Sequence, residues 1–240
     1  MQPKDWHRPL VNAEALQLRM GLAEISGELR AGTLQDRRSD NGFFGALRGV
    51  LAPMPKTAWP RLSVSFNDDQ IESKLWLIDE LQAVLDLSGS RVVILGAWYG
   101  VLALLMDRLL PQQPAEVQCI DIDEGACAIA AQLLSIVSPP PRVARADMME
   151  LDYAALGAER RTIFVNTSCE HLPDFPRWRA ALPPGAHLVL QSNNHLGCSE
   201  HVNCVADVDE LEQQARLSHV DYRGTLPLQR FQRFMVIGRT

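Results

Sequence analysis

Beyond residue 63 the chain alternates short apolar runs with segments whose apolar residues recur at helical spacing. The runs Arg91–Leu95, Val117–Asp121, Arg142–Ala146, Thr162–Asn166 and His187–Gln191 predict strands, and helices are predicted near 100–110, 125–136, 149–157, 174–181 and 207–216. A further helix precedes the first strand. In NDDQIESKLWLIDELQAVLDL, Ile71, Leu75, Ile78 and Leu81 share one face, and Asn67 to Gln70 reads as a capping box. Strand-helix alternation requires right-handed crossovers and a parallel sheet covered on both faces. At the C-terminus the rhythm changes: HVDYRG and RFQRFMVIGR are separated only by TLPLQ, too short for a helical crossover, and therefore predict an antiparallel hairpin. The expected architecture is a doubly wound, Rossmann-like, mostly parallel seven-stranded α/β sheet that ends in that hairpin.

The first 62 residues have a different texture. One amphipathic helix, NAEALQLRMGLAEISGELR, is followed by the polar AGTLQDRRSDNG and the proline-punctuated LAPMPKTAWPRL. This stretch has too little apolar sequence to fold alone. It is expected to be a helical extension, residues 1–62, that docks on the domain formed by 63–240 as a cap, a lid or a homodimer element.

Composition narrows the class of partner. Apolar residues make up 47% and charged residues 22%, ordinary for a globular protein, and the net charge of -6 gives no footprint for nucleic acid or an anionic membrane. A small-molecule substrate is the expected partner. No apolar run approaches a membrane span, and MQPKDWHRPL lacks the apolar core of a signal peptide, so a cytoplasmic protein is expected. Five cysteines, Cys119, Cys127, Cys169, Cys198 and Cys204, read as reduced thiols rather than a disulfide framework.

The candidate chemistry gathers at the strand ends. In VVILGAWYGVLALLM, Gly96 and Gly100 occupy the turn after the first strand, which faces the ligand crevice in a doubly wound sheet. The second strand ends in CIDID, placing Asp121 about 25 residues beyond Gly96, a spacing that suits a carboxylate receiving both hydroxyls of a ribose. The third ends in RADMM, where Asp147 would accept from an adenine amino group. Each aspartate has a competing reading as a helix N-cap. Together a glycine, an acid and an acid at three consecutive strand ends outline a nucleoside.

ILGAWYG, IDIDEGA and ADM resemble the glycine loop, the ribose-binding acid and the adenine-binding motif of the class I S-adenosylmethionine-dependent methyltransferases, over about Asn67 to Thr240. Trp98 stands where that family has its middle glycine, and Leu95 stands where a smaller or acidic neighbour is common. The resemblance implies S-adenosylmethionine as cofactor, held by Gly96, Ala97, Trp98, Tyr99, Gly100, Asp121, Ile122, Asp147, Met148 and Asn166. Trp98 and Tyr99 are expected to wall the methionine end, where an aromatic face favours a sulfonium by roughly 0.5–2 kcal/mol. The competing reading packs Trp98 under the N-terminal extension.

Two polar loops follow the fourth and fifth strands, VNTSCEHLPDF and LQSNNHLGCSEHVNC. Catalytic candidates there are Asn166, to orient an acceptor or the methionine group, and Glu170, His171 or His201 as general base, with His195 and Glu200 as alternatives. The same loops hold enough cysteine, histidine and glutamate to suggest a metal, but no Cys-x-x-Cys is present and neighbours in an extended chain point opposite ways, so no metal is expected. The expected activity is methyl transfer to a small molecule. Two alternatives stay open: use of the aminocarboxypropyl group, including closure to azetidine-2-carboxylate with release of methylthioadenosine, and a non-catalytic scaffold.

Overall fold

The computed structural model describes residues 13–240; the MQPKDWHRPL segment and Asn12, the expected start of the first helix, lie outside the described residues. Seven strands, β1 (Arg91–Leu95), β2 (Glu116–Asp121), β3 (Arg142–Arg145), β4 (Thr162–Asn166), β5 (His187–Asn193), β6 (His219–Pro227) and β7 (Gln232–Arg239), form one sheet in the order β3-β2-β1-β4-β5-β7-β6. β1 to β5 pair in parallel, and β7 runs antiparallel to both β5 and β6. The expected architecture is therefore observed.

Strand periodicity divides the core. On β1, Val92 and Ile94 face one cluster, which also holds Leu22, Leu75, Leu104 and Val189. Val93 and Leu95 face the other, with Phe164, Trp178, Leu190 and Leu211. Central strands β1 and β4 are buried along their whole length, whereas edge strand β3 is not. This matches the near-continuous apolar runs expected of a sheet covered on both faces. Helix α5 (Val101–Leu109) is buried from Val101 through Met106, because α4 (Asp68–Val84) packs beside it on one side and α6 (Glu124–Leu134) on the other.

Helix α4 starts where the capping box predicts, with Asn67 Oδ1 accepting from Gln70 N at 2.8 Å. The return half of the box is absent, since the Gln70 side chain instead accepts from Lys74 Nζ at 2.7 Å. The helix expected over 149–157 is split into a 3-10 turn, Met148–Glu150, and α7 (Tyr153–Ala158), because Asp147 and Asp152 each cap a separate start. Helices α8 (Phe175–Ala181) and α9 (Val208–Ala215) fall where expected, while β5 runs two residues longer, through Ser192 and Asn193.

The extension is more regular than its sequence suggests. Besides α1 (Ala13–Ala31) it holds α2 (Phe43–Leu51) and α3 (Trp59–Ser65). Pro60 does not break α3, because it lies in the first turn, where an N–H has no intrahelical partner. The boundary expected at residues 62 and 63 falls inside α3. Leu18, Leu22, Ile25, Leu47 and Leu62 join the same apolar cluster as β1, so the extension contributes to the core of the sheet. Among the described residues, no helix is long and apolar enough to cross a membrane.

Candidate functional site

Strand order reverses between β1, which leads to β2 and β3 on one side, and β4, which leads to β5 on the other. Such a switch point opens a crevice at the carboxyl ends of the strands. The turn after β1 enters it through Gly96 at φ 63° and leaves through Gly100 at φ 73°. A Cβ on Gly96 would lie 2.5 Å from Ser168 Oγ, so this glycine is required both by its backbone conformation and by the close approach of the loop after β4. Gly100 packs against α6, where a Cβ would meet Leu134 Cδ1 at 2.8 Å.

Between the glycines Trp98 also has positive φ, 49°, and its N–H donates to Asp121 Oδ2 at 2.7 Å. The other oxygen, Oδ1, accepts from Asp123 N at 3.0 Å. A carboxylate oxygen has two acceptor positions. Asp121 is thus fixed by two backbone amides and keeps one position on each oxygen for a ligand. At the end of β3, Asp147 is exposed and caps the 3-10 turn through Oδ1 and Met149 N, 2.8 Å. Ile122, beside Asp121, is 61% exposed, an apolar surface at the mouth of the crevice.

The opposite bank is built by the loops after β4 and β5. Residues 169–171 form a 3-10 turn, which places Glu170 in the interior, 3% exposed, and His171 at the surface. The loop after β5 is clasped onto this turn: Val202 N and Asn203 N both donate to Glu170 O at 2.9 Å, which brings His201 beside His171, with ring centroids 4.8 Å apart. Glu170 Oε1 accepts from Asn193 Nδ2 and from Arg233 Nη1, both at 2.7 Å, and Arg233 Nη2 also donates to Thr167 O. Burial lowers the pKa of the half-buried His201 imidazole, opposed by its hydrogen bond to the His195 carbonyl and by the charge of Glu170. Burial also pushes the Cys169 thiol well above its ordinary range, which makes it inert.

Helix α4 supplies a group that sequence reasoning missed. Burial, and secondarily the charge of Arg233, lower the Lys74 ammonium to about 7, against a smaller opposing effect of Glu170. Next to it, Ser73 is tied to β5 by Ser73 Oγ to Gln191 Oε1 at 3.1 Å and Gln191 Nε2 to Ser73 O at 3.2 Å. Two surface concavities lie elsewhere, one by Arg179 and Glu210 between α8 and α9, the other by Arg38 and Ile136. Neither contains a buried acid with a base, and the chemistry gathers at the strand ends.

The sequence matches no protein-family model and no curated protein. Solved structures do match the fold. The N-methyltransferase NodS from Bradyrhizobium japonicum WM9, in complex with S-adenosyl-L-homocysteine, is 16% identical with a TM-score of 0.56, over 81% of this chain and 98% of NodS. The [4+2]-cyclase SpnF is 13% identical with a TM-score of 0.54, over 71% of this chain and 82% of SpnF. The CMeT domain of the citrinin polyketide synthase is 16% identical with a TM-score of 0.54, over 92% of this chain and 66% of that chain. The fold is that of the class I S-adenosylmethionine-dependent methyltransferases.

Set in a methyltransferase fold, the expected site residues separate into three groups. Gly96, Ala97, Trp98, Gly100, Asp121, Ile122, Asp147 and Met148 lie at the ends of β1 to β3, on one bank. Glu170, His171, His195 and His201 gather on the other, after β4 and β5, together with the backbone of Glu200, whose carbonyl receives His171 Nδ1 at 3.0 Å. Tyr99 and Asn166 are buried. Tyr99 is 3% exposed, packed into the core and stacked on Trp98 at 4.6 Å, so only Trp98 of that pair presents surface. Asn166 is fully buried, its Oδ1 accepting from Ser168 N at 2.9 Å and Ser168 Oγ at 3.3 Å and its Nδ2 directed to Met148 Sδ at 3.5 Å. Glu170 is held through Oε1 by Arg233 and Asn193, while its Oε2 has no hydrogen-bond partner.

Proposed function

We propose that this chain is an S-adenosylmethionine-dependent methyltransferase acting on a small-molecule acceptor. The observation that carries the reading is Asp121, a carboxylate pinned by Trp98 N and Asp123 N at the switch point with one acceptor position left on each oxygen. That pattern fits the two adjacent hydroxyls of a ribose. Gly96 supports it, since its backbone has positive φ and a Cβ there would press on Ser168 Oγ, and Ile122 and Met148 offer apolar surface beside Asp147 for an adenine ring. When bound, the cofactor's sulfonium would supply an electrophilic methyl carbon.

The chain's own groups would then orient an acceptor and remove its proton. Lys74, with its pKa lowered to about 7, is matched to accept a proton near neutrality. The net charge of -6 favours a small acceptor over a nucleic acid, and homodimerisation through the N-terminal extension is part of the same proposal.

Mass analysis of reactions containing S-adenosylmethionine and a mixture of small amine, hydroxyl and thiol acceptors tests this reading. Formation of S-adenosylhomocysteine with an acceptor heavier by one CH₂ is the expected result. Methylthioadenosine in its place would move the chemistry to the aminocarboxypropyl carbon, and retained cofactor binding with neither product would favour a scaffold.

A further inference from the structure

We propose that Glu170, His171 and His201 form a binding site for one divalent first-row transition metal ion. A carboxylate oxygen of Glu170 and one ring nitrogen from each histidine lie within 4.8 Å of one another. In an extended chain Glu170 and His171 would point opposite ways. The 3-10 turn at 169–171 and the clasp of Val202 and Asn203 onto the Glu170 carbonyl remove that obstacle by folding the two loops together.

Two independent features point to a ligand. Glu170 Oε2 is buried and has no hydrogen-bond partner, although Oε1 of the same carboxylate has two. A buried carboxylate oxygen left unpaired is costly, and a cation would relieve that cost. Both imidazoles, moreover, direct Nδ1 to a backbone carbonyl: His171 to Glu200 O at 3.0 Å and His201 to His195 O at 2.9 Å. Those bonds require Nδ1 to carry the proton, which leaves a lone pair on Nε2, the arrangement that orients metal-bound histidines. Asn193 and Arg233 hold the carboxylate from behind in the same manner.

Two imidazoles and one carboxylate suit zinc, iron(II) or cobalt(II) rather than calcium or magnesium. Three protein ligands leave coordination positions open, as in catalytic rather than structural sites. The cysteines take no part, since Cys169 Sγ is directed to Asn166 O and Cys204 Sγ to Asn193 Oδ1, both at 3.7 Å.

Titration of the metal-stripped full chain with Co²⁺, followed by visible absorption and then by displacement with Zn²⁺, tests the site without any cofactor or acceptor. A ligand-field band with a one-to-one end point is expected. His171→Ala, a change at an exposed side chain, should weaken binding by about tenfold or more, and the His171→Ala/His201→Ala double variant should abolish the band while keeping the far-ultraviolet circular dichroism of the wild type. Absence of a stoichiometric end point in the wild type, or an unchanged end point in folded His171→Ala, would overturn the proposal.

Discussion

The two banks of the crevice are built by different rules. On the β1–β3 bank the acids are fixed by backbone amides: Asp121 Oδ1 by Asp123 N and Asp147 by Met149 N, each two residues on, and Asp121 Oδ2 by Trp98 N in the neighbouring turn; the other bank uses side chains. On the β4–β5 bank Glu170 is fixed by Asn193, 23 residues away, and by Arg233, 63 residues away. Ser73 and Gln191 meet across 118 residues. A carboxylate held by backbone amides is a recognition feature that survives side-chain changes elsewhere. A carboxylate held at long range depends on the packing of several elements at once.

That difference can be broken most forcefully at Arg233. Arg233→Met leaves the buried Glu170 carboxylate unpaired, and removal of one member of a buried pair costs about 3–5 kcal/mol. A fall in Tm of roughly 6–20 °C is expected by calorimetry, whereas Asp121→Ala should leave Tm nearly unchanged. Equal effects at the two positions would erase the distinction between the banks.

The next largest effect is expected at Gly96. Gly96→Ala places a Cβ against Ser168 Oγ, while Gly89, at a similar φ of 68°, has open space around it. Both substitutions carry the left-handed backbone cost of about 1–2 kcal/mol; only Gly96→Ala should add a steric cost of about 1–3 kcal/mol, measured as the difference between their denaturation midpoints. Identical midpoints would mean that the loop after β4 does not press on the β1 turn.

Lys74 gives an effect that depends on pH. Its folded pKa of about 7 lies below its ordinary value of 10.5, so the unfolded chain holds the proton more tightly. The cost of burying the ammonium is therefore complete below pH 7 and is relieved as pH rises from about 7 to 10.5. Lys74→Met is expected to stabilise the protein at pH 6 and to lose that advantage by pH 10, read from Tm across the range. A pH-independent difference would show that Lys74 is solvated. The smallest effect is expected from Asp147→Asn, which removes one charged acceptor at an exposed position and should weaken S-adenosylhomocysteine binding only several-fold, by about 1 kcal/mol.

The same contrast explains how much of the molecule could be read from its residues. The parallel strands follow from apolar runs of fixed length, and the hairpin from the shortness of TLPLQ. Asp121 and Asp147 are visible because a strand end and a nearby amide are both local. Lys74 and Arg233 are not, because nothing in ESKLWL or QRFMV distinguishes a lysine or arginine that a distant loop will cover. Helix α2 is hidden by Gly45 and Gly49; a Cβ on Gly45 would press on the backbone carbonyl of Asp40, so close packing rather than helix propensity selects that glycine. Asn166 reads as a strand-end functional residue, and what its sequence does not show is that its amide is fully buried and bonded to Ser168 N.

Calorimetric titration with S-adenosylhomocysteine, on the wild type and on Asp121→Ala, tests the central claim most directly. Micromolar binding in the wild type, weakened roughly tenfold or more by loss of two hydrogen bonds to a charged acceptor, is the predicted result. Absence of binding in the wild type, or equal affinity in the variant, would contradict the placement of the cofactor at the ends of β1 to β3.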